Sequence, residues 1–323
     1  MEHGQLIRKN HLPMPDRMSG LHFLWLELTE KCNLECVHCY ISSSPKLPLI
    51  GAVGPDKWKE LILDGFRSGC REIQFIGGEA TMYPALPELL TYAHGLGYEF
   101  IEVFTNAVSF NSKIRRVFVE TNIHLAFSFY SIDHAIHDKI TKVPGSQVKT
   151  LQNVRWALAQ GLRVRANVVR TPENEHCADD AVAFLSELGV TNIQNNRTLH
   201  SGRGAEFVQG HAIEDKLCGS CWRGSLFIAT NGNVYACPLS RDNVVGHVND
   251  GLEAIVNSQN LVNFRKDVYN YFSALQEAAG ATNCTDPCTC LCICTCTCMC
   301  EGCMCMNPPN PRDPNEIGVA ESA

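Results

Sequence analysis

The sequence has no apolar run long enough to cross a bilayer, which takes about 20 residues. The apolar stretch LHFLWLEL, residues 21–28, is much shorter, and the residues before it lack the apolar core of a signal peptide. Long runs of lysine or arginine are also absent, and the net charge is −7. This balance argues against a nucleic acid bound through its phosphates. We therefore expect a cytoplasmic protein with no membrane and no nucleic-acid partner.

Cysteine, in contrast, is abundant, with 18 residues in a chain of 323. Cytoplasmic thiols stay reduced, so these cysteines are better explained as free thiols or metal ligands than as a disulfide framework. The chain is 45% hydrophobic and 19% charged, as expected for a globular protein with a sizeable core. Its length suits one large domain and a smaller one.

Six short apolar runs alternate with amphipathic segments between residues 21 and 196. This alternation predicts a mainly parallel sheet with helices outside it. The pattern alone leaves an open doubly wound sheet and a partial barrel as alternatives, and in both the chemistry lies at the carboxyl ends of the strands. The predicted strands are residues 21–28, 72–76, 98–105, 123–130, 162–169 and 190–195.

Three cysteines, Cys32, Cys36 and Cys39, follow the first predicted strand in LTEKCNLECVHCY. Thiolates favour zinc or iron–sulfur clusters, and a structural zinc site takes four protein ligands. Three ligands without a nearby fourth cysteine indicate an iron–sulfur cluster with one open coordination position. His38 is the alternative fourth ligand, although a residue between two ligating cysteines is poorly placed to reach the same metal.

The segment CNLECVHCY resembles the Cys-x3-Cys-x2-Cys loop of radical S-adenosylmethionine (SAM) enzymes, including the aromatic residue after the third cysteine. In that family three thiolates hold a four-iron four-sulfur cluster, and the amino and carboxylate groups of SAM chelate the remaining iron. The resemblance implies reductive cleavage of SAM to a 5′-deoxyadenosyl radical that abstracts a hydrogen atom from the substrate.

Further segments at the predicted strand ends resemble the family's SAM-binding segments. FIGGEA follows the second strand and is similar to the Gly-Gly-Glu segment that receives the SAM ammonium group; a plain strand-to-helix turn is its alternative. The third and fourth strands end in polar residues, as strand ends commonly do. Arg165 and Asn167 alternate on one face of the fifth strand, which points either into the barrel or to solvent. The resemblance implies that SAM is bound by Gly77, Gly78, Glu79, Asn106, Ser128 and Arg165.

The segment YSIDHAIHDKIT follows the fourth predicted strand and is similar to one found in relatives that act on peptides or natural products. Its polar residues are Asp133, His134, His137 and Asp138. They serve either as helix caps and surface residues or as substrate contacts, and the sequence does not separate these roles.

A second cysteine set surrounds the predicted hairpin SLFIATNGNVYACP, in which Asn231 and Gly232 form a strong turn signal. The region resembles the auxiliary-cluster domain of many radical SAM enzymes, called SPASM, or its shorter twitch form. The resemblance implies a second [4Fe-4S] cluster, with Cys218 as an alternative to Cys221 and a zinc knuckle as an alternative to the cluster. Its predicted ligands are Cys221, Cys237, Cys284 and Cys288.

Near its end the sequence departs from both forms, because CTCLCICTCTCMC has a thiol at every second residue. An extended chain would present these thiols on one face. Four interpretations stay open: surplus thiols around real cluster ligands, a metallothionein-like metal sink, a low-complexity expansion, and a substrate or hydrogen-atom donor acting in cis.

We therefore predict an α/β fold, a partial (β/α)6 TIM-like barrel with a small C-terminal auxiliary-cluster domain. The barrel is expected to carry a SAM-binding [4Fe-4S] cluster and SAM itself. The predicted organisation is an N-terminal extension (1–20), the barrel (21–210), the auxiliary domain (211–283), a Cys-rich segment (284–305) and a disordered tail (306–323).

The expected activity is modification of a ribosomally made peptide by crosslinking, thioether formation or epimerisation, with ferredoxin or flavodoxin as electron donor. An epimerase, dehydrogenase or decarboxylase acting on a sugar or nucleoside intermediate is the alternative enzyme. The alternative without catalysis is an iron–sulfur or zinc protein that buffers metal.

Overall fold

The structure, a computed structural model, describes residues 19–208 and 217–278. The predicted ligands Cys284 and Cys288, the Cys-rich segment and the C-terminal tail lie outside these residues, as do most of the N-terminal extension and the boundary predicted at residue 210.

Six parallel strands form the first part of the sheet, and each overlaps one of the six predicted strands. Strands β1 to β6 lie side by side in chain order, so each β-α-β unit adds the next strand at the same edge. This topology confirms the predicted mainly parallel sheet. The strands are β1 (Phe23–Glu27), β2 (Glu72–Ile76), β3 (Phe100–Thr105), β4 (His124–Phe129), β5 (Arg163–Arg170) and β6 (Asn192–Arg197).

The helices between these strands begin and end where local chemistry favours it. In the first helix Pro55 occupies the first turn, where a missing N–H costs nothing, and the buried face includes Trp58 and Leu61. The second helix ends at Gly97, whose φ of 93° suits glycine. The helices are α1 (Pro55–Arg67), α2 (Leu86–Leu96), α3 (Ser112–Glu120), α4 (His134–Thr141), α5 (Ser146–Ala159) and α6 (Ala178–Glu187).

Beyond β6 the chain returns to the opposite edge of the same sheet. Strand β7 (Ser225–Ile228) pairs in parallel with β1, and β8 (Asn233–Tyr235) and β9 (Gly246–His247) follow in antiparallel order. The predicted hairpin is therefore present, but it continues the barrel's sheet instead of forming a sheet of its own. Two helices follow it, α7 (Leu252–Val256) and α8 (Gln259–Ala278).

The two faces of the parallel sheet differ in chemistry. Outward-facing strand residues such as Leu26, Phe75 and Val103 are fully buried against the helices. Inward-facing residues include polar side chains such as Gln74 and Asn167, which line a cavity. Strand alternation therefore places an apolar core between sheet and helices, and a cavity with both polar and apolar lining inside the curved sheet. No helix in the described ranges is long and apolar enough to span a membrane.

Helices α4 and α5 are joined by a turn that depends on one carboxylate. Asp138 accepts hydrogen bonds from the backbone N–H groups of Gly145 (2.6 Å) and Gln147 (3.0 Å) and from the Ser146 hydroxyl (2.8 Å). Burial opposes its charge, but these bonds outweigh burial and hold the pKa of Asp138 below its ordinary value. Asp133 likewise caps α4, so both aspartates of this segment act as helix caps, whereas His137 is buried.

We expect Asp138→Ala to lower the free energy of unfolding by about 1 kcal/mol at pH 7, the usual effect of losing a helix cap. Because the folded-state pKa is lowered, the stabilisation is present above the unfolded pKa of about 3.9 and is lost as the pH falls through the folded value. Urea denaturation at pH 7 and below pH 4 measures both effects. Asp180→Ala, at an exposed position in α6, is the control.

Candidate functional site

The carboxyl ends of β1 to β6 surround a cavity of about 210 Å³. Its lining comes from all six strand ends and from Pro238 and Leu239, which follow β8. Of the nine residues predicted for the first cluster and for SAM, Glu79 and Arg165 are not part of the lining. Seven predicted residues do line it, namely Cys32, Cys36, Cys39, Gly77, Gly78, Asn106 and Ser128.

The segment 32–44, here called the cysteine loop, follows β1 and is held by backbone hydrogen bonds. The N–H groups of Glu35 and Val37 donate to the carbonyls of Thr141 (3.1 Å) and Ile140 (2.9 Å) at the end of α4. The N–H of Cys32 donates to the Ser44 carbonyl at 3.2 Å. The last carbonyls of a helix have no hydrogen-bond partner within the helix. In α4 they bind the cysteine loop instead and so support it.

Two thiols of this loop, those of Cys32 and Cys36, lie where a negative charge is costly. Burial, reinforced by the nearby charge of Glu79, raises the pKa of Cys32 far above its ordinary value. Burial, with the charge of Cys39 next, raises the pKa of Cys36 to about 12. Two backbone N–H groups point at sulfur, one at Cys32 (3.4 Å) and one at Cys39 (3.3 Å). Thiolates at these positions therefore require a bound cation to compensate them.

The Gly-Gly-Glu segment packs directly against the chain between β1 and the cysteine loop. The N–H of Gly78 donates to the Thr29 carbonyl at 2.7 Å, and the N–H of Glu79 donates to the Lys31 carbonyl at 2.9 Å. A Cβ atom on Gly78 would lie 2.5 Å from that Lys31 oxygen, and one on Gly77 would lie 2.6 Å from the Thr29 oxygen. Both positions therefore require glycine because backbone passes against backbone.

Glu79 is buried, and its carboxylate joins the ends of β2 and β3. It accepts hydrogen bonds from the hydroxyls of Thr81 (2.6 Å) and Thr105 (2.5 Å) and from the backbone N–H groups of Thr81 (3.0 Å) and Asn106 (2.7 Å). Desolvation raises the pKa of Glu79, although these bonds act in the opposite direction. The side-chain amide of Asn106 in turn lies 3.6 Å from the Cys32 sulfur. Glu79 thus orients Asn106 towards the cysteine loop.

Arg165 lies beneath the cavity in a buried polar network. Its guanidinium forms two hydrogen bonds of 2.7 Å with the carboxylate of Glu102, which also accepts a hydrogen bond from Gln74. The next inward-facing residue of the same strand, Asn167, does line the cavity and accepts a hydrogen bond from Asn196 at 2.8 Å. The structure therefore brings Asn167, beside Ser128, to the cavity and leaves Arg165 one layer below.

His38 lines the cavity between two cysteines of the loop. Its ring packs edge-on against Tyr130, with 4.9 Å between ring centroids, and its buried Nδ1 has no hydrogen-bond partner. Burial, with the positive charge of Arg203 next, lowers the pKa of His38 to about 4, so the ring is neutral at pH 7.

Two cysteines of the auxiliary region lie side by side. The sulfurs of Cys221 and Cys237 are 2.6 Å apart, and both residues are buried, as is Cys218. In the described residues no three His, Cys, Asp or Glu side chains are close enough to hold a single metal ion.

Arg241 joins the auxiliary region to the barrel, and sequence reasoning missed it. Its guanidinium donates to the buried carboxylate of Glu27 at the end of β1, at 2.5 and 3.3 Å. Its charged group also lies 5.8 Å from the ring centroid of Tyr40, the residue after Cys39. The pair is formed by residues more than 200 positions apart, so spacing within the sequence carried no signal for it.

Sequence reasoning also missed the segment SGRG after β6. The short 3₁₀ helix Gly202–Glu206 lies against the cysteine loop, and Arg203 donates hydrogen bonds to its carbonyls. Two glycines flanking an arginine between a predicted strand and a hairpin were the available signal.

Two family models match this chain. The model of the radical SAM superfamily matches residues 26–185, and the model of an iron–sulfur cluster-binding domain, SPASM, matches residues 218–291. The chain belongs to the radical SAM superfamily. The second match adds a SPASM-type domain, so the sequence-based resemblance is confirmed for both parts.

Curated relatives and a solved structure agree with this membership. The subtilosin biosynthesis protein AlbA of Bacillus subtilis is 25% identical and covers 77% of this chain, and the PqqA peptide cyclase of Rhodopseudomonas palustris is 28% identical and covers 52%. This chain spans 61% and 46% of their lengths. Streptococcus suis SuiB bound to SAM matches with a TM-score of 0.64 at 14% identity, over 76% of this chain and 68% of SuiB, which supports the fold.

Radical SAM and SPASM domains imply a SAM-binding [4Fe-4S] cluster, SAM and an auxiliary iron–sulfur cluster. The residues of this chain fit the first of these. Three thiols from one loop line a common cavity, burial makes uncompensated thiolates costly for Cys32 and Cys36, and no carboxylate lines the described cavity to compete for iron.

Gly78→Ala tests the close packing beside the cysteine loop. The added methyl group would overlap the carbonyls of Glu30 and Lys31, so we expect the loop to shift and the protein to bind up to about four fewer irons per chain after anaerobic reconstitution. Gly95→Ala in α2 is the matched control, because its Cβ meets no atom within 4 Å. Equal iron content in the two variants would show that the contact does not matter for the cluster.

Proposed function

We propose that this protein is a radical SAM enzyme that modifies a ribosomally synthesised peptide. The observation that carries this proposal is the meeting of three thiols with the Gly-Gly-Glu segment at one end of a cavity inside a parallel barrel. Held by these thiols, a cluster would supply one electron for the cleavage of SAM to methionine and a 5′-deoxyadenosyl radical, which would take a hydrogen atom from the substrate.

The residues of the chain have distinct proposed roles in this reaction. Cys32, Cys36 and Cys39 hold three irons and leave the fourth open to the cavity. Gly77 and Gly78 line the cavity with backbone that can receive the SAM ammonium group. Apolar side chains around them keep water away from a radical; these are Trp25, Leu34, Ile76, Phe104 and Val169.

Polar side chains complete the proposed SAM site. Asn106 and Ser128 lie in the cavity wall and offer hydrogen bonds to SAM. Glu79 and Arg165 act one layer away, Glu79 by orienting Asn106 and Arg165 by holding Glu102 below the cavity. Their predicted contacts with SAM become positioning roles in this proposal.

A peptide substrate is supported by the names of the relatives. AlbA takes part in the biosynthesis of a bacteriocin, the second relative is a cyclase of the PqqA peptide, and SuiB has been solved with its precursor peptide SuiA. We infer a peptide substrate for this chain as well. The electron would come from a low-potential carrier such as ferredoxin or flavodoxin. The 18 cysteines of this chain favour the reducing cytoplasm as its location.

For the auxiliary cluster we propose Cys221 and Cys237 as ligands from the described residues, completed by Cys284 and Cys288. The support is the adjacency of the first two sulfurs and the extent of the SPASM match, which includes all four positions. The same proposal disfavours a protein that only buffers metal, because buffering gives no account of the Gly-Gly-Glu segment at the matching strand end.

Cys32→Ala tests the proposed chemistry. Mutating a residue that only hydrogen-bonds to a metal ligand typically lowers metal affinity or activity about 10–100-fold. We therefore expect removal of a ligand itself to abolish 5′-deoxyadenosine formation from SAM under reducing conditions. Cys177→Ala is the control, since this half-buried cysteine lies outside the cavity. Unchanged 5′-deoxyadenosine formation by Cys32→Ala would exclude a radical SAM site at this loop.

Iron analysis of the Cys32/Cys36/Cys39→Ala triple variant tests the auxiliary site. We expect this variant to retain about four irons per chain, held by the second set of cysteines. Adding Cys221→Ala and Cys237→Ala should remove them. A triple variant without iron would contradict an auxiliary cluster and leave the reaction to a single cluster.

A further inference from the structure

Arg203 makes three hydrogen bonds to the backbone of the cysteine loop. Its N–H donates to the Cys39 carbonyl at 2.9 Å, its Nε to the Cys36 carbonyl at 2.7 Å, and its Nη2 to the Ser43 carbonyl at 2.8 Å. Two of these acceptors belong to proposed cluster ligands. A planar guanidinium holds such acceptors in a fixed geometry, which a lysine ammonium does not.

The residues beside Arg203 allow the close approach that these bonds need. Gly202 has a φ of 54°, and a Cβ atom there would lie 2.3 Å from the Cys39 carbonyl oxygen. The hydroxyl of Ser201 donates to the Tyr40 carbonyl at 2.9 Å. The segment after β6 is therefore shaped against the loop that carries the thiols, although 160 residues separate Arg203 from Ser43.

The charge of Arg203 is not neutralised by a carboxylate. All three of its acceptors are carbonyl oxygens, and within residues 19–208 and 217–278 no Asp or Glu lines the cavity that it borders. Two of the three carbonyls that it holds belong to Cys36 and Cys39, so its positive charge lies beside the loop that carries the proposed cluster ligands.

We propose that Arg203 is a positioning residue that holds the backbone of Cys36 and Cys39 in place and raises the reduction potential of the cluster bound there. A one-electron reduction makes the cluster more negative, and a nearby uncompensated cation stabilises the more negative state. This inference rests on the proposed function, because it assigns Arg203 to the cluster that supplies the electron.

Two variants of the full-length, anaerobically reconstituted protein separate the two effects. Arg203→Gln removes the charge. Arg203→Lys keeps the charge but loses the planar guanidinium and the fixed positions of its N–H donors. Each is poised at a series of fixed potentials, and the reduced cluster is quantified by electron paramagnetic resonance. The signal that changes shape when SAM is added belongs to the cluster of the cysteine loop. Arg67→Gln, at the exposed end of α1, is the control.

We expect Arg203→Gln to lower the ratio of reduced to oxidised cluster about tenfold at a given potential, equivalent to ~59 mV for one electron. Arg203→Lys should stay within about twofold of the unmodified protein in this ratio, while losing iron several-fold faster to a chelator because the loop is less well held. The control should match the unmodified protein in both measurements.

If Arg203→Gln has the same ratio of reduced to oxidised cluster as the control, the electrostatic effect is overturned. This ratio can be measured even when only part of the protein carries a cluster, because only that part gives the signal. Iron loss from both variants at the control rate would overturn the positioning effect. Failure of the proposed function looks different: the unmodified protein would then give no SAM-sensitive signal and no 5′-deoxyadenosine.

Discussion

The site depends on the contact between the chain after β1 and the chain after β2. Here two backbones pass so closely that only glycine fits at positions 77 and 78. The hydrogen bonds from Gly78 and Glu79 to Thr29 and Lys31 join the start of the cysteine loop to the Gly-Gly-Glu segment. Because this contact is made of backbone, the distance between the cysteine loop and the Gly-Gly-Glu segment does not depend on flexible side chains.

The cysteine loop is held on its other sides by different means. The C-terminal carbonyls of α4 accept its N–H groups, and Arg203 donates to its carbonyls from the segment after β6. Thus α4 accepts hydrogen bonds from N–H groups of the loop, and Arg203 donates hydrogen bonds to carbonyls of the loop. A loop of 13 residues that lacks regular structure would otherwise leave several backbone groups unpaired near a buried site, which is costly.

Charge is distributed unevenly around the cavity. Carboxylates lie behind or below its wall, where Glu79 is hydrogen-bonded to neutral donors, Glu102 is paired with Arg165 and Glu27 with Arg241. Both paired carboxylates are buried, so each needs the positive charge of its arginine to compensate its own. Arg241 also shows that the auxiliary region is part of the barrel wall, since the residues after Cys237 line the same cavity.

The order of strands and helices, the cysteine loop, the Gly-Gly-Glu segment and the hairpin could all be predicted from the sequence, because each depends on residues close together in the chain. The roles of Glu79 and Arg165, the parallel pairing of β7 with β1, and the contacts of Arg203 and Arg241 could not. These depend on which distant segments the folded sheet brings together. Local spacing therefore determined which residues can be proposed as cluster ligands, and only the tertiary structure decided which residues hold them in place.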